Sequence, residues 1–322
     1  MRKALVVGIN EYPNCPLRGC VNDARSVAEI LRNHKDGKKN FDVNLKENVE
    51  RRGDLLGLIE SLFKGNPEVA LFYFSGHGYI NELGGYIVTP DFGPHDIGVS
   101  MSDILIYANR SKAENKVIIL DCCHAGAMGN MTFGNIGECI VGNGVTILTS
   151  SRDDESSMEI GGRGVFTSLL IEALDGGAAN IQGDITPGSV YAFIDQALGA
   201  WEQRPLFKTN IQKFVSIRNV VPSVSLDELT VLKECFSSPF VEMKLDPSFE
   251  FTNTSEVKHE LVEPYAKEEN VKLFKKLQKL ESVGLIEPVG EEHMYFAAIN
   301  SKACKLTVLG QYYWKLLSEN RI

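Results

Sequence analysis

The chain has 322 residues, 43% of them hydrophobic, enough for one domain of about 200 residues or more and a smaller one beside it. A net charge of −9 and a pI near 5.3 argue against nucleic acid or an anionic membrane as partner. No apolar run approaches the roughly 18–20 residues of a membrane span. Seven cysteines, an odd number that includes adjacent Cys122 and Cys123, suit a reduced compartment, expected to be the cytoplasm.

Met1-Arg2-Lys3 ahead of the short apolar run Ala4–Ile9 imitates a signal peptide. The run is too short, has no small-residue cleavage site and continues into Glu11-Tyr12-Pro13, so it reads as a first core strand over 3–9. A helix follows over 21–33, with Val21, Ala24, Ala28, Ile30 and Leu31 on its apolar side and Asn22 and Asp23 in its first turn. The polar stretch 34–47 is loop with one strand at 41–45, and a helix at 52–64 leads into the apolar run Val69–Phe74. Tyr86 to Asp91 reads as a hairpin arm, 100–112 as a helix and Val117–Leu120 as another buried strand. A Gly/Asn-rich connection over 126–144, a strand at 145–149 and helices at 164–174 and 187–200 carry the alternating β/α pattern to about residue 218. Short apolar, β-branched runs bounded by breakers belong to a mostly parallel sheet covered on both faces.

Near residue 222 the character changes, which predicts domains over 1–220 and 221–322. Segment 238–266 is irregular, and 268–283 is an amphipathic helix carrying Val271, Phe274, Leu277 and Leu280, closed by Gly284. Leu285-Ile286, a turn at Pro288-Val289-Gly290, Met294 to Ile299 and a last helix from Thr307 to Leu317 follow. Helix, short strand, hairpin, helix resembles a winged helix, a small α+β module. From 225 to 322 there are 12 Lys and Arg against 16 Asp and Glu, net −4, which favours a protein partner or self-association over DNA.

Two stretches carry chemistry: Phe74-Ser75-Gly76-His77-Gly78, and Asp121-Cys122-Cys123-His124-Ala125-Gly126. Each follows a buried strand, so a His and a Cys stand outside the carboxyl ends of the sheet, where open α/β sheets place their chemistry. A thiol near pH 7 is mostly protonated and needs a base beside it to attack as thiolate. His77 is the candidate base, and the amides of Gly78 and Cys123 are candidates for an oxyanion hole. Cys122 reads as a buried apolar filler. Zinc at Cys122, Cys123 and His124 is disfavoured, because consecutive ligands cannot converge on one ion with the usual spacers.

These stretches, with Ala4-Leu5-Val6-Val7-Gly8-Ile9-Asn10, Tyr12 and Leu17-Arg18-Gly19-Cys20-Val21-Asn22-Asp23-Ala24, resemble the caspase-like cysteine peptidases. Within them the likeness is to the metacaspases and their bacterial relatives. Leu148 to Asp154 and Gly164-Val165-Phe166-Thr167 fit the family's small-subunit region, so the likeness covers about residues 2–218. The resemblance implies a caspase-like α/β fold with Cys123 as nucleophile and His77 as base. It implies a primary pocket of Cys20, Asp23, Ser75 and Asp121. Two carboxylates there favour Arg or Lys at P1 and repel Asp. Taken alone, Asp23 also reads as a helix-start residue.

The family's usual His-Ser-Gly after the nucleophile is His124-Ala125-Gly126 here. Residues 127–143 hold no Lys or Arg, so a basic-specific enzyme has no site there for its own maturation. A single-chain enzyme is expected, with Arg152 or Arg163 as the alternative cut. No cofactor is required. Many metacaspases need calcium, and Asp153, Asp154 and Glu155 are the acids that could take it, although a solvated acidic loop is the plainer reading. The expected partners are protein or peptide substrates with P1 Arg or Lys, and a regulatory protein at 221–322. Bacterial relatives are linked to stress, cell death or antiviral defence. The competing functional classes are a catalytically latent adaptor working through its C-terminal domain and a DNA-binding regulator. Intact His77, Cys123 and pocket acids count against the first, and the charge of the second domain against the other.

Overall fold

Strand-forming runs and helices alternate through the first two thirds of the chain. In order they are β1 (Arg2–Gly8), α1 (Cys20–Arg32), β2 (Asp42–Glu47), α2 (Arg52–Phe63), β3 (Val69–Ser75), β4 (Gly78–Asn81), β5 (Gly84–Ile87), β6 (Val99–Ser100) and α3 (Met101–Arg110). There follow β7 (Asn115–Asp121), β8 (Val145–Thr149), β9 (Glu159–Ile160), β10 (Arg163–Gly164), α4 (Val165–Glu172), β11 (Asp184–Ile185), α5 (Pro187–Ala197), β12 (Leu206–Asn210) and β13 (Arg218–Asn219). The structure, a computed structural model, describes residues 1–93, 96–122, 141–150, 159–160, 163–198, 204–256 and 260–322. They divide into two compact units, Met1–Val221 and Pro222–Ile322.

The first unit is built on a six-stranded sheet in the order β12-β8-β7-β3-β1-β2. All its pairings are parallel except β12 against β8. The pleat sorts the strand residues onto two faces. Leu5, Val7, Phe72, Phe74, Ile118 and Leu120 pack with Leu55 and Ile59 of α2 and Ile104 and Leu105 of α3. Ala4, Val6, Leu71, Tyr73, Val117 and Ile119 pack with Ala24, Val27, Ala28 and Leu31 of α1 and Phe166 and Leu170 of α4. Both faces are covered, which is why β3 and β7 read as uninterrupted apolar runs rather than as alternating ones. The chain passes from β1 to β2 on one side and then to β3 on the other, so the order reverses at β1 and opens a crevice at the carboxyl ends.

In the second unit α6 (Leu226–Cys235), β14 (Met243–Lys244), α7 (Glu268–Ser282), β15 (Ile286–Val289), α8 (Met294–Ile299), β16 (Ala303–Leu306) and α9 (Val308–Ser318) follow in turn. Ser225 and Glu228 form a capping box at the start of α6. The strands pair antiparallel in the order β14-β16-β15. The stretch Met294–Ile299, grouped with the hairpin in the sequence reading, is a helix. Met294, Ala297 and Ala298 are its buried residues, at the i, i+3, i+4 spacing of a helical face, and the pairing arm is the later Ala303–Leu306. Among the described residues no helix is long and apolar enough to cross a membrane.

Candidate active site

β3 and β7 lie side by side and in register, with Ser75 opposite Asp121. His77 stands two residues past the end of that pair. Gly76 makes the turn possible, since a Cβ there would lie 2.6 Å from the Tyr12 hydroxyl. That hydroxyl accepts a bond from the His77 amide at 3.0 Å and donates to the Val88 carbonyl at 3.2 Å, while the Val88 amide donates to the His77 carbonyl at 2.9 Å. Tyr12 thus sits where a ladder bond of the β4–β5 hairpin would otherwise close, and its ring packs edge-on against the imidazole with centroids 4.5 Å apart. Burial raises the pKa of the Tyr12 phenol far above its ordinary value, so it stays protonated and able to donate.

The imidazole itself is oriented by a main-chain group. His77 Nε2 lies 2.7 Å from the carbonyl oxygen of Cys15. A carbonyl can only accept, so Nε2 donates to it, and in the neutral imidazole the basic nitrogen is Nδ1. Half-buried His77 is therefore held from behind, with Nδ1 left as the nitrogen that can act as a base.

Alternation puts Tyr73, Ser75 and Asp121 on the α1/α4 face of the sheet. Asp23 reaches the same place from the first turn of α1. Both carboxylates are out of contact with solvent, at 1% exposure for Asp23 and 5% for Asp121. They meet around Gly164, the N-cap residue of α4. The Gly164 amide donates to Asp23 Oδ2 at 3.1 Å, and a Cβ on Gly164 would stand 2.5 Å from Asp121 Oδ2 and 3.3 Å from Asp23 Oδ2. Thr167, one turn into α4, donates its hydroxyl to Asp121 Oδ2 at 2.6 Å and lies 2.6 Å from the Tyr73 hydroxyl. With the threonine proton committed to the carboxylate, Tyr73 is the donor to Thr167. Burial, and after it the charges of Asp121 and Asp23, push the Tyr73 phenol well above its usual range, so this donor keeps its proton. Cys20 is buried at the start of α1, beside Tyr12, and Ser75 is buried at the end of β3. Asp23 does not cap α1: the residue before that helix is Gly19, with no side-chain capping bond, and the carboxylate is turned across the fold to α4.

The caspase-domain family model matches residues 1–215. The chain belongs to the caspase-domain family. It is 38% identical over 87 residues to metacaspase-1 of Mycosarcoma maydis, a match that spans 24% of this chain and only 21% of that protein. Among solved structures it is similar to protein GSU0716 from Geobacter sulfurreducens, with a TM-score of 0.50 and 16% identity over 68% of this chain and 97% of that one. Caspase-1 from Spodoptera frugiperda is another, with a TM-score of 0.47 and 16% identity over 68% and 88% of the two chains.

Within that family frame, Cys123 lies outside the described residues, one position beyond buried Cys122, which belongs to the apolar core as its reading as filler expected. Asp153, Asp154, Glu155 and Arg152 also lie outside them, as does the segment 123–140. Gly78 opens β4. In that hairpin the two-residue turn Glu82-Leu83 makes Asn81 and Gly84 a bonded pair, and His77 with Val88 is another. Bonded pairs alternate with unbonded ones, so the Gly78 amide points away from β5, toward the open edge of β4. Sequence reasoning grouped His77 with Cys20, Asp23, Ser75 and Asp121. It did not single out Cys15, Gly164, Thr167 and Tyr73, which the structure bonds to His77 or the two acids or, for Tyr73, to Thr167. The Cys15 contribution is a carbonyl, which no side-chain pattern can announce. Gly164 and Thr167 stood inside a matched family stretch with no role attached.

Proposed function

We propose that the chain is a cysteine endopeptidase that cleaves proteins after Arg or Lys, with Cys123 as nucleophile and His77 as general base. The observation that carries the reading is the pair of buried carboxylates, Asp23 and Asp121, gathered around Gly164 at the same sheet end as a histidine whose Nε2 is held by a main-chain carbonyl. A buried acid pair is costly unless a cation completes it, so it selects a cationic side chain and repels an acidic one. Register supports the placement of the nucleophile: Cys123 is two residues past Asp121, as His77 is two past Ser75, on adjacent strands.

In this scheme His77 Nδ1 takes the thiol proton of Cys123 and the thiolate attacks the scissile carbonyl carbon. The oxyanion is met by the amides of Gly78 and Cys123. The imidazolium returns its proton to the departing amine as the C–N bond breaks, leaving a thioester. Water, deprotonated by the same imidazole, then hydrolyses it and restores the thiol. No cofactor takes part in these steps. The Cys15 carbonyl stabilises the imidazolium through Nε2–H, and its main-chain anchorage leaves Nδ1 as the nitrogen for proton transfer.

The second unit, with its strand order β14-β16-β15 between helices, is read as a winged-helix-like regulatory module for a protein partner. The setting proposed is the cytoplasm, in stress, cell-death or antiviral defence signalling. Fluorogenic peptides with P1 Arg, Lys or Asp, run beside a Cys123→Ala control, test the activity. Turnover at Arg and Lys that vanishes in the control is the expected result. Cleavage after Asp, or turnover that survives Cys123→Ala, would overturn it.

A further inference from the structure

The acid pair poses an electrostatic problem. Two carboxylates withdrawn from water and sharing the surroundings of one glycine repel each other, and each favours protonation of the other. An acid that has taken up a proton cannot read a cation. The first turn of α4 supplies hydrogen-bond donors to both acids. Its start carries the positive end of the helix dipole. Its leading residue, Gly164, gives a main-chain N–H to Asp23 Oδ2 at 3.1 Å. Thr167 gives a hydroxyl to Asp121 Oδ2 at 2.6 Å, and Tyr73 from β3 backs that hydroxyl at 2.6 Å. The turn is itself fastened, because Ser168 donates to the Gly164 carbonyl at 3.0 Å. The chain of donors Tyr73 → Thr167 → Asp121 runs in one direction, and each bond polarises the next toward the carboxylate.

We propose that Gly164, Thr167 and Tyr73 are the positioning residues of the P1 pocket, holding Asp23 and Asp121 charged and in the orientation that distinguishes arginine from lysine. The proposal rests on the reading of the chain as an Arg/Lys peptidase and deepens it. None of the three need touch the substrate. They act through the carboxylates. Binding one oxygen of Asp121 to a fixed hydroxyl sets the plane of the carboxylate. A planar guanidinium needs that plane for paired hydrogen bonds, whereas the ammonium of lysine is a point charge that tolerates a turned carboxylate. The signature of the device is therefore a change in preference between two basic residues, beyond a general loss of activity.

The test is kcat/KM on matched peptides with P1 Arg and P1 Lys for the full-length protein and its Thr167→Val, Thr167→Ser and Tyr73→Phe variants. Valine keeps the shape of threonine and removes the hydroxyl; serine keeps the hydroxyl. Loss of one hydrogen bond to a charged group predicts a fall of roughly tenfold or more for P1 Arg in Thr167→Val. A smaller fall for P1 Lys lowers the Arg-to-Lys ratio, Thr167→Ser restores it, and Tyr73→Phe moves it the same way by less. Alkylation of Cys123 by iodoacetamide reports the nucleophile independently and keeps its wild-type rate in all three. Equal losses on both peptides without rescue by serine, or no change in any variant, would overturn the proposal while leaving the peptidase reading intact. Should Thr167→Val fail to fold, the ratio in Tyr73→Phe and Thr167→Ser decides it: an unmoved ratio in Tyr73→Phe refutes the relay. A wild-type enzyme whose Cys123 alkylates but which ignores both basic peptides would remove the underlying reading and the proposal with it.

Discussion

The two halves of the candidate site are held by different means. His77 is fixed mainly by main-chain groups: the Cys15 carbonyl on Nε2 and the Val88 amide on its carbonyl, with the Tyr12 hydroxyl on its amide. The acid pair is fixed by the start of a helix and a file of side-chain hydroxyls, from Tyr73 through Thr167 to Asp121, with the Gly164 amide on Asp23. A main-chain support survives most substitutions at its own residue. A side-chain relay does not. The base side should therefore be tolerant behind the histidine, and the acid side brittle behind the acids.

The largest effect expected is common to any account with His77 as base. His77→Ala should lower kcat/KM by about 10²–10⁴-fold, the usual worth of a positioned general base, measured on the best P1 Arg peptide. An intact rate would transfer the role to another group. Next comes Gly164→Ala, the sharpest challenge to the acid side. One added methyl must displace Asp121 or Asp23, and disrupting a buried charge site at a cost of about 2–5 kcal/mol corresponds to a loss of roughly 30-fold or more on P1 Arg. Unchanged turnover would mean that the carboxylates do not read the substrate in this arrangement.

On the base side the expected effects are smaller and separate two supports of the same histidine. Tyr12→Phe leaves the His77 amide and the Val88 carbonyl without their bridge. That costs about 1–3 kcal/mol, or about 2–4 °C of melting temperature per kcal/mol for a unit of this size, read by thermal unfolding. Smallest of all is Cys15→Ser. The thiol is exposed and the working atom is the carbonyl, so kcat/KM should stay within about twofold of wild type. A large drop would give the thiol a role of its own and end the contrast between the two halves.

Much of this frame was legible in the residues. β3 and β7 are unbroken apolar runs because helices cover both faces of the sheet, and the breakers after them marked its functional end. Asp23 and Asp121 were singled out through their family stretches, 98 positions apart, with no hint that both would lie against Gly164. The strand Leu206–Asn210 escaped notice because it lies at the sheet edge, half exposed, with Lys208, Thr209 and Asn210 in a five-residue run and antiparallel pairing to β8. The widened turn Ala173–Gly177 after α4, where Gly176 takes φ 138°, also had no periodic signal. The relay could not be read because threonine and tyrosine are ordinary core residues until the fold supplies a carboxylate. Met294–Ile299 was grouped with a hairpin since Gly290 and Pro288 signal turns, and only its buried triplet shows the helix.

The central claim is that buried charge at Asp23 and Asp121 selects a cation at P1. Comparing kcat/KM for two peptides that differ only in P1 arginine against citrulline tests it most directly. Citrulline keeps the length and planarity of arginine and loses the charge. The account predicts a loss of roughly 30-fold or more, from about 2–5 kcal/mol for an acid pair left without its cation. Equal turnover of the two peptides would contradict it, because a pocket indifferent to charge is not read by this acid pair.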